Sequence, residues 1–199
     1  MSKNIILKEE YPPGDYAVWI IIYVELLTFA LFFLGYAISR KADIELFNGS
    51  QEILSQTSGF INTFILITSS YFVVKAVNVI KNMTHENYKE FNIKASKWLL
   101  FALACGVSFL IIKITEFSHI FGLGINLSTN KFFMFYILLT GFHFMHVLLG
   151  SIILFNIYQK TKLYGYTPDD HKGFESGASY WHMVDLLWIV LFPLIYIIR

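Results

Sequence analysis

Five apolar runs, 20 to 27 residues long, dominate this sequence: about Tyr16–Ile38, Phe60–Ile80, Trp98–Ser118, Phe132–Tyr158 and Ser179–Ile198. A helix needs about 20 mostly apolar residues to cross the hydrocarbon of a bilayer. The runs therefore predict five transmembrane helices, and an all-α integral membrane bundle. Composition agrees. Charged residues make up 15% of the 199 residues and mean hydropathy is +0.56, against roughly 25% charged in a soluble domain. The segments between runs are short and polar. They leave no room for a separate soluble domain, so residues 1–199 read as one membrane domain.

The ends of the runs carry helix signals. Asp15 follows two prolines and is placed to cap the first helix, and Ser96 and Asn130 to cap the third and fourth. The first run is too long for a signal-peptide core and lacks a small-residue cleavage site, so it is expected to stay as a spanning helix. Lys and Arg counts set the expected orientation. With the N-terminus inside, Lys3, Lys8, Lys81, Lys89, Lys94, Lys97, Lys160, Lys162 and Lys172 lie inside, and Arg40, Lys41, Lys131 and Arg199 outside. Nine against four favours N-in and C-out. A net charge of +1 gives no basic surface for nucleic acid, and the single Cys105 allows neither a disulfide nor a CxxC metal site.

Ionisable groups inside spanning segments cost at least a few kcal/mol each, so each one is a functional candidate. Glu25 stands in WIIIYVELLTFALFF with no basic residue within a turn. It is either a proton-handling or interface carboxyl, or a neutral acid that locks packing against another helix. Lys113 and Glu116 in KITEF are three residues apart and suit an intrahelical ion pair, or a relay. His143 and His146, with Gly150 further along the same face and Gly141 close by, suit a metal or haem site, or hydrogen bonds to neighbouring helices across small residues. His182 and Asp185 form a second three-residue pair near the inner surface, where Tyr180 suits an interfacial belt. The three histidines and nearby carboxylates contain ligand types for a metal centre, although His182 lies at a different depth from the other two. Lys75 is near enough to the inner end of the second helix to snorkel. Asn62, Thr63, Thr68, Ser69 and Ser70 make that helix polar enough to be buried among others.

Four segments in order, WIIIYVELLTFALFF, KITEF, TGFHFMHVLLGS and SYWHMVDLLW, resemble subunit III of the haem-copper oxidases. The chain is similar to five-helix bacterial forms that lack the first two helices of the mitochondrial type. NTFILITSSYFVVKAV, KITEF and NKFFMFYILLTGFHFMHV look most similar to the accessory E protein linked to nitric oxide reductase. Phe144 and Met183 stand where the oxidase type has glycine and phenylalanine. The resemblance implies a helical bundle docked beside catalytic subunit I in the bacterial cytoplasmic membrane, in contact with lipid and other subunits. It implies that haem and copper reside in partner subunits and none in this one. It also implies a non-catalytic role: stabilising subunit I, supporting its proton uptake and slowing its inactivation during turnover. Glu25 matches the family's carbodiimide-reactive carboxyl. Lys113, Glu116, His143, His146, His182 and Asp185 are then a structural polar network. The alternatives are a nitric oxide reductase accessory or assembly subunit, a membrane redox protein ligating metal or haem through His143, His146 and His182, and a small proton-coupled transporter using Glu25, Lys113 and Glu116.

Overall fold

The computed structural model describes residues 13–199, and among these every regular element is helical. Lys3 and Lys8, counted above on the inner side, lie outside the described residues. Six helices follow in order: α1 Tyr16–Ala42, α2 Ile44–Gln51, α3 Gln56–Lys81, α4 Tyr88–Gly122, α5 Lys131–Lys162 and α6 Lys172–Phe192. A π-helical turn, Pro193–Ile197, ends the last of them. The five long ones, α6 taken with its turn, are apolar and long enough to span a membrane. The chain is a multi-pass membrane protein.

Helix starts follow local chemistry. Asp15 accepts from the Ala17 N–H at 3.0 Å and Asn130 from the Phe133 N–H at 2.9 Å, both as expected of caps. Ser96 caps nothing. α4 begins eight residues earlier, and the Ser96 hydroxyl donates to the Ile93 carbonyl inside it. The reason is that a helix need not stop where hydrocarbon stops. At 35 residues α4 runs for ~52 Å, well beyond a ~30 Å apolar layer. Its polar first turns hold an exposed Glu90–Lys94 pair at 2.7 Å. α6 likewise starts at Lys172 and not at 179.

The far-end link between the first two spans holds α2, which is too short and polar to read as a span. Asp43 caps it, and its Phe47 is fully buried beneath it. At the other end of the sequence, Pro193 has no N–H to give and its ring crowds the preceding turn. The backbone widens into the π turn there, and Tyr196 within it is fully buried.

α3, α4, α5 and α6 pack as an antiparallel bundle, with α1 laid against α5 and α6. Trp181 is wedged between Gly106 of α4 and Gly150 of α5. A Cβ at either glycine would stand 2.9 Å from its ring. Small residues thus let a large ring enter, as expected for Gly150. Gly141 does not share this role, since a Cβ there would meet nothing within 4 Å. Tyr180, Trp181 and Trp188 are buried, so the interfacial belt expected at Tyr180 does not form. The cause is close packing at Gly150 of α5, which Tyr180 and Trp181 both approach, and at Gly106 of α4, which Trp181 also meets.

Candidate functional site

The ionisable side chains gather at three levels. At mid-depth, Glu25 of α1 meets His146 of α5, with Oε2 and Nε2 3.0 Å apart. The other imidazole nitrogen, Nδ1, lies 2.8 Å from the Phe142 carbonyl. A carbonyl can only accept, so Nδ1 carries a proton. In neutral His146, Nε2 is then an acceptor, and the contact needs a proton from the carboxyl. In cationic His146, Nε2 donates to a carboxylate. Either way the pair holds one shared proton, and loss of that proton sets two acceptors against each other. The Glu25 side chain is 26% exposed and that of His146 8%. Both line an apolar groove of about 380 Å3 with Met145, Leu148, Leu149 and Ile152. The carboxyl and the imidazole thus share one hydrogen bond at the apolar groove.

His143, one turn away, does something different. Neither of its ring nitrogens has a hydrogen-bond partner, and the ring is fully buried. Trp188, Phe109 and Phe29 surround it, with centroids 5.2, 5.8 and 6.4 Å away. The helical spacing put two histidines on adjacent turns, but about 60° of rotation separates them. That is enough to aim one at α1 and the other into the aromatic core.

Further along, toward the end where α1 finishes, Lys113 and Glu116 form the intrahelical pair, Nζ to Oε2 at 3.2 Å, both buried. Two tyrosines complete it. Tyr136 of α5 and Tyr196 of the π turn donate to Glu116 Oε1 at 2.7 and 2.5 Å, and Lys113 Nζ donates to the Tyr196 hydroxyl at 2.9 Å. Four aromatic rings, those of Phe117, Tyr136, Trp188 and Tyr196, have their centroids 5.0–5.5 Å from the ammonium. A buried ion pair is tolerable only when its remaining donors and acceptors are met, and here carboxylate and ammonium both find extra partners. Glu116 also lines a cavity of about 280 Å3 with Ser55, Ser58, Thr115 and His119, at the far end of the bundle. His119 itself is exposed.

At the opposite level, His182 and Asp185 do not make the bond their spacing allows. Nδ1 of His182 lies 2.6 Å from the Ser70 hydroxyl of α3, and Oδ1 of Asp185 is buried without a partner. The hydroxyl of Ser70 reaches His182 from across the helix interface, where packing decides. Other polar residues of α3 divide by face. Ser69 donates to the Ala102 carbonyl at 2.9 Å, and Thr63 accepts from the Trp188 indole at 3.0 Å. Thr68 is exposed, and buried Asn62 has no partner for either side-chain atom. Lys75 stays half-buried with its ammonium 5.3 Å from the Tyr71 ring centroid.

His146 and His182 thus meet different partners, Glu25 and Ser70, and His143 has none. Among the described residues no three His, Cys, Asp or Glu side chains are grouped as a metal centre. Tyr136 and Tyr196 belong to the polar framework and carried little signal in the sequence. Tyr136 lies two turns from His143 on one stripe of α5, which marked it weakly. Tyr196 lies one turn beyond buried Phe192, and nothing in its own spacing pointed to Glu116, 80 positions away.

These features define a polytopic membrane protein with two ionisable pairs, Lys113–Glu116 buried in the bundle and Glu25–His146 at an apolar groove. The family model for cytochrome c oxidase subunit III matches residues 15–199, and the chain belongs to that family. Cytochrome c oxidase subunit 3 of Synechocystis sp. is 34% identical over 139 residues, 69% of this chain and 55% of the relative. The Thermostichus vulcanus protein of the same name is 33% identical over 139 residues, 69% of this chain and 64% of the relative. The probable cytochrome c oxidase subunit 3 of Rickettsia prowazekii is 34% identical over 143 residues, 70% and 47% of the two chains. The matches thus span about half to two thirds of the length of these curated relatives.

Proposed function

We propose that this chain is the non-catalytic subunit III-like component of a bacterial haem-copper terminal oxidase. It lies in the cytoplasmic membrane with its N-terminus inside and its C-terminus outside. It packs beside the catalytic subunit, stabilises it and supports its proton uptake. Haem and copper belong to partner subunits, and this chain holds none. The observation that carries the reading is the family match over residues 15–199. The Glu25–His146 pair supports the proton-linked part, because it places a proton-sharing carboxyl at a groove open to lipid or to a neighbouring subunit.

The deciding experiment is purification in mild detergent with identification of what comes with the chain. Co-purification of haem-copper catalytic subunits is expected. Recovery as a lone species sinks the reading.

A second reading is an accessory subunit for nitric oxide reductase. The observation favouring it is the resemblance of NTFILITSSYFVVKAV and KITEF to that branch. Relatives named cytochrome c oxidase subunit 3 favour the oxidase. Deleting the gene and comparing oxygen with nitric oxide consumption separates the two.

A further inference from the structure

α1 is the least anchored of the long helices. Three of its 27 residues are buried: Ile22, Phe29 and Tyr36. In hydrocarbon, no hydrophobic force favours one apolar helix face over another. The leucines and isoleucines along α1 therefore do not select the face that turns to the bundle, whereas polar tethers do. At the start of α1, the Gly14 N–H donates to Glu175 Oε2 at 3.1 Å and the Asp15 N–H to the Ser176 hydroxyl at 2.8 Å. At its end, the Arg40 guanidinium donates to the Ile198 carbonyl and to Asn48 Oδ1, the latter at 2.9 Å.

Ile198 closes the C-terminal π turn, and that turn is itself held on two sides. Gln51 of α2 donates to the Ile195 carbonyl at 2.7 Å. Tyr196 is fixed by Glu116 and Lys113. A continuous chain of polar contacts therefore runs from the buried ion pair of α4, through the turn, to Arg40. Glu25, Phe29, Tyr36 and Arg40 lie on one stripe of α1, within about 60° of each other at 100° per residue. Holding Arg40 holds the rotation at Glu25, ~22 Å along the axis.

We propose that the Lys113–Glu116–Tyr196 cluster, acting through the C-terminal turn and Arg40, sets the rotation of α1 and so keeps Glu25 opposite His146. Arg40 and Tyr196 are positioning residues for Glu25 and touch neither it nor His146. The inference rests on Glu25 being the functional carboxyl. A helix rotation of ~20° moves a carboxylate ~6 Å from the axis by ~2 Å, enough to open a hydrogen-bonded contact.

The test uses the full chain in its purified complex, with dicyclohexylcarbodiimide as the probe. The protonated carboxyl adds across the carbodiimide, and the acyl group then migrates to nitrogen as a stable acylurea with no leaving group. Mass spectrometry of the Glu25 peptide gives the rate. Arg40→Met and Tyr196→Phe are each expected to change that rate threefold or more, and Arg40→Lys to stay closer to the wild type. Wild-type rates in both Arg40→Met and Tyr196→Phe overturn the proposal, even where Tm falls. Should Tyr196→Phe fail to assemble, Gln51→Met frees the same turn at Ile195 and takes its place. His146→Leu separates two kinds of failure. A changed rate there, with wild-type rates in the Arg40 and Tyr196 variants, removes the positioning role alone. An unchanged rate there removes the Glu25–His146 reading, and the proposal with it.

Discussion

Glu25 Oε2 and His146 Nε2 stand 3.0 Å apart at the middle of the spanning region, and their hydrogen bond requires a proton between them. The isosteric amide of Glu25→Gln supplies an N–H to the same nitrogen, so packing survives while proton exchange does not. Glu25→Gln is expected to assemble normally and to shorten the time over which the complex keeps its activity during turnover. Oxygen-consumption time courses on equal amounts of assembled complex check this. Loss of assembly in Glu25→Gln instead assigns Glu25 to packing.

The Lys113–Glu116 pair responds to removal of one partner differently from removal of both. Lys113→Met leaves a buried carboxylate with two tyrosine donors and no countercharge. The expected cost is about 3–5 kcal/mol. Lys113→Met with Glu116→Leu is expected to cost less than the sum of the single changes, because no charge is then stranded. Unfolding of the four proteins in one detergent gives the cycle. Strict additivity would show that the two residues do not act as a pair.

Glycines of the same helix differ in what surrounds them. Gly150→Ala puts a methyl 2.9 Å from the Trp181 ring, and overpacking of that kind costs about 1–3 kcal/mol. Gly141→Ala meets nothing within 4 Å, and its expected effect is neutral or a gain of up to about 1 kcal/mol from helix propensity. Thermal unfolding of both variants checks the contrast, and equal losses would refute the wedge formed by Trp181.

Orientation is open to direct measurement. In a Cys105→Ser background, Ser128→Cys and Asp169→Cys place thiols at exposed positions at opposite ends of the bundle. With the N-terminus inside, a membrane-impermeant maleimide added to intact spheroplasts labels the thiol at 128 and spares the one at 169. The reverse pattern inverts the assignment.

The sequence by itself determined the class of fold, the five spans and the caps at Asp15 and Asn130. Hydrocarbon demands a run of apolar residues, and a helix start demands a side-chain acceptor at one position. It also determined the Lys113–Glu116 pair, since three residues along a helix bring two side chains together whatever else folds around them. Contacts between helices were left to the tertiary structure. Glu25 showed no partner nearby in sequence, and the packing of α1 on α5 supplied His146, 121 positions away. His143 and His146 looked equivalent in spacing, yet one faces α1 and the other an aromatic pocket. His182 and Asp185 looked like a pair, and Ser70 of another helix took the imidazole. Tyr196 brought its hydroxyl into the ion-pair cluster from a π turn, a contact between elements 80 positions apart that periodicity does not specify. In a membrane every apolar helix face is equally at home in lipid, so periodicity marks the spans, and only the packed bundle decides which polar side chains meet.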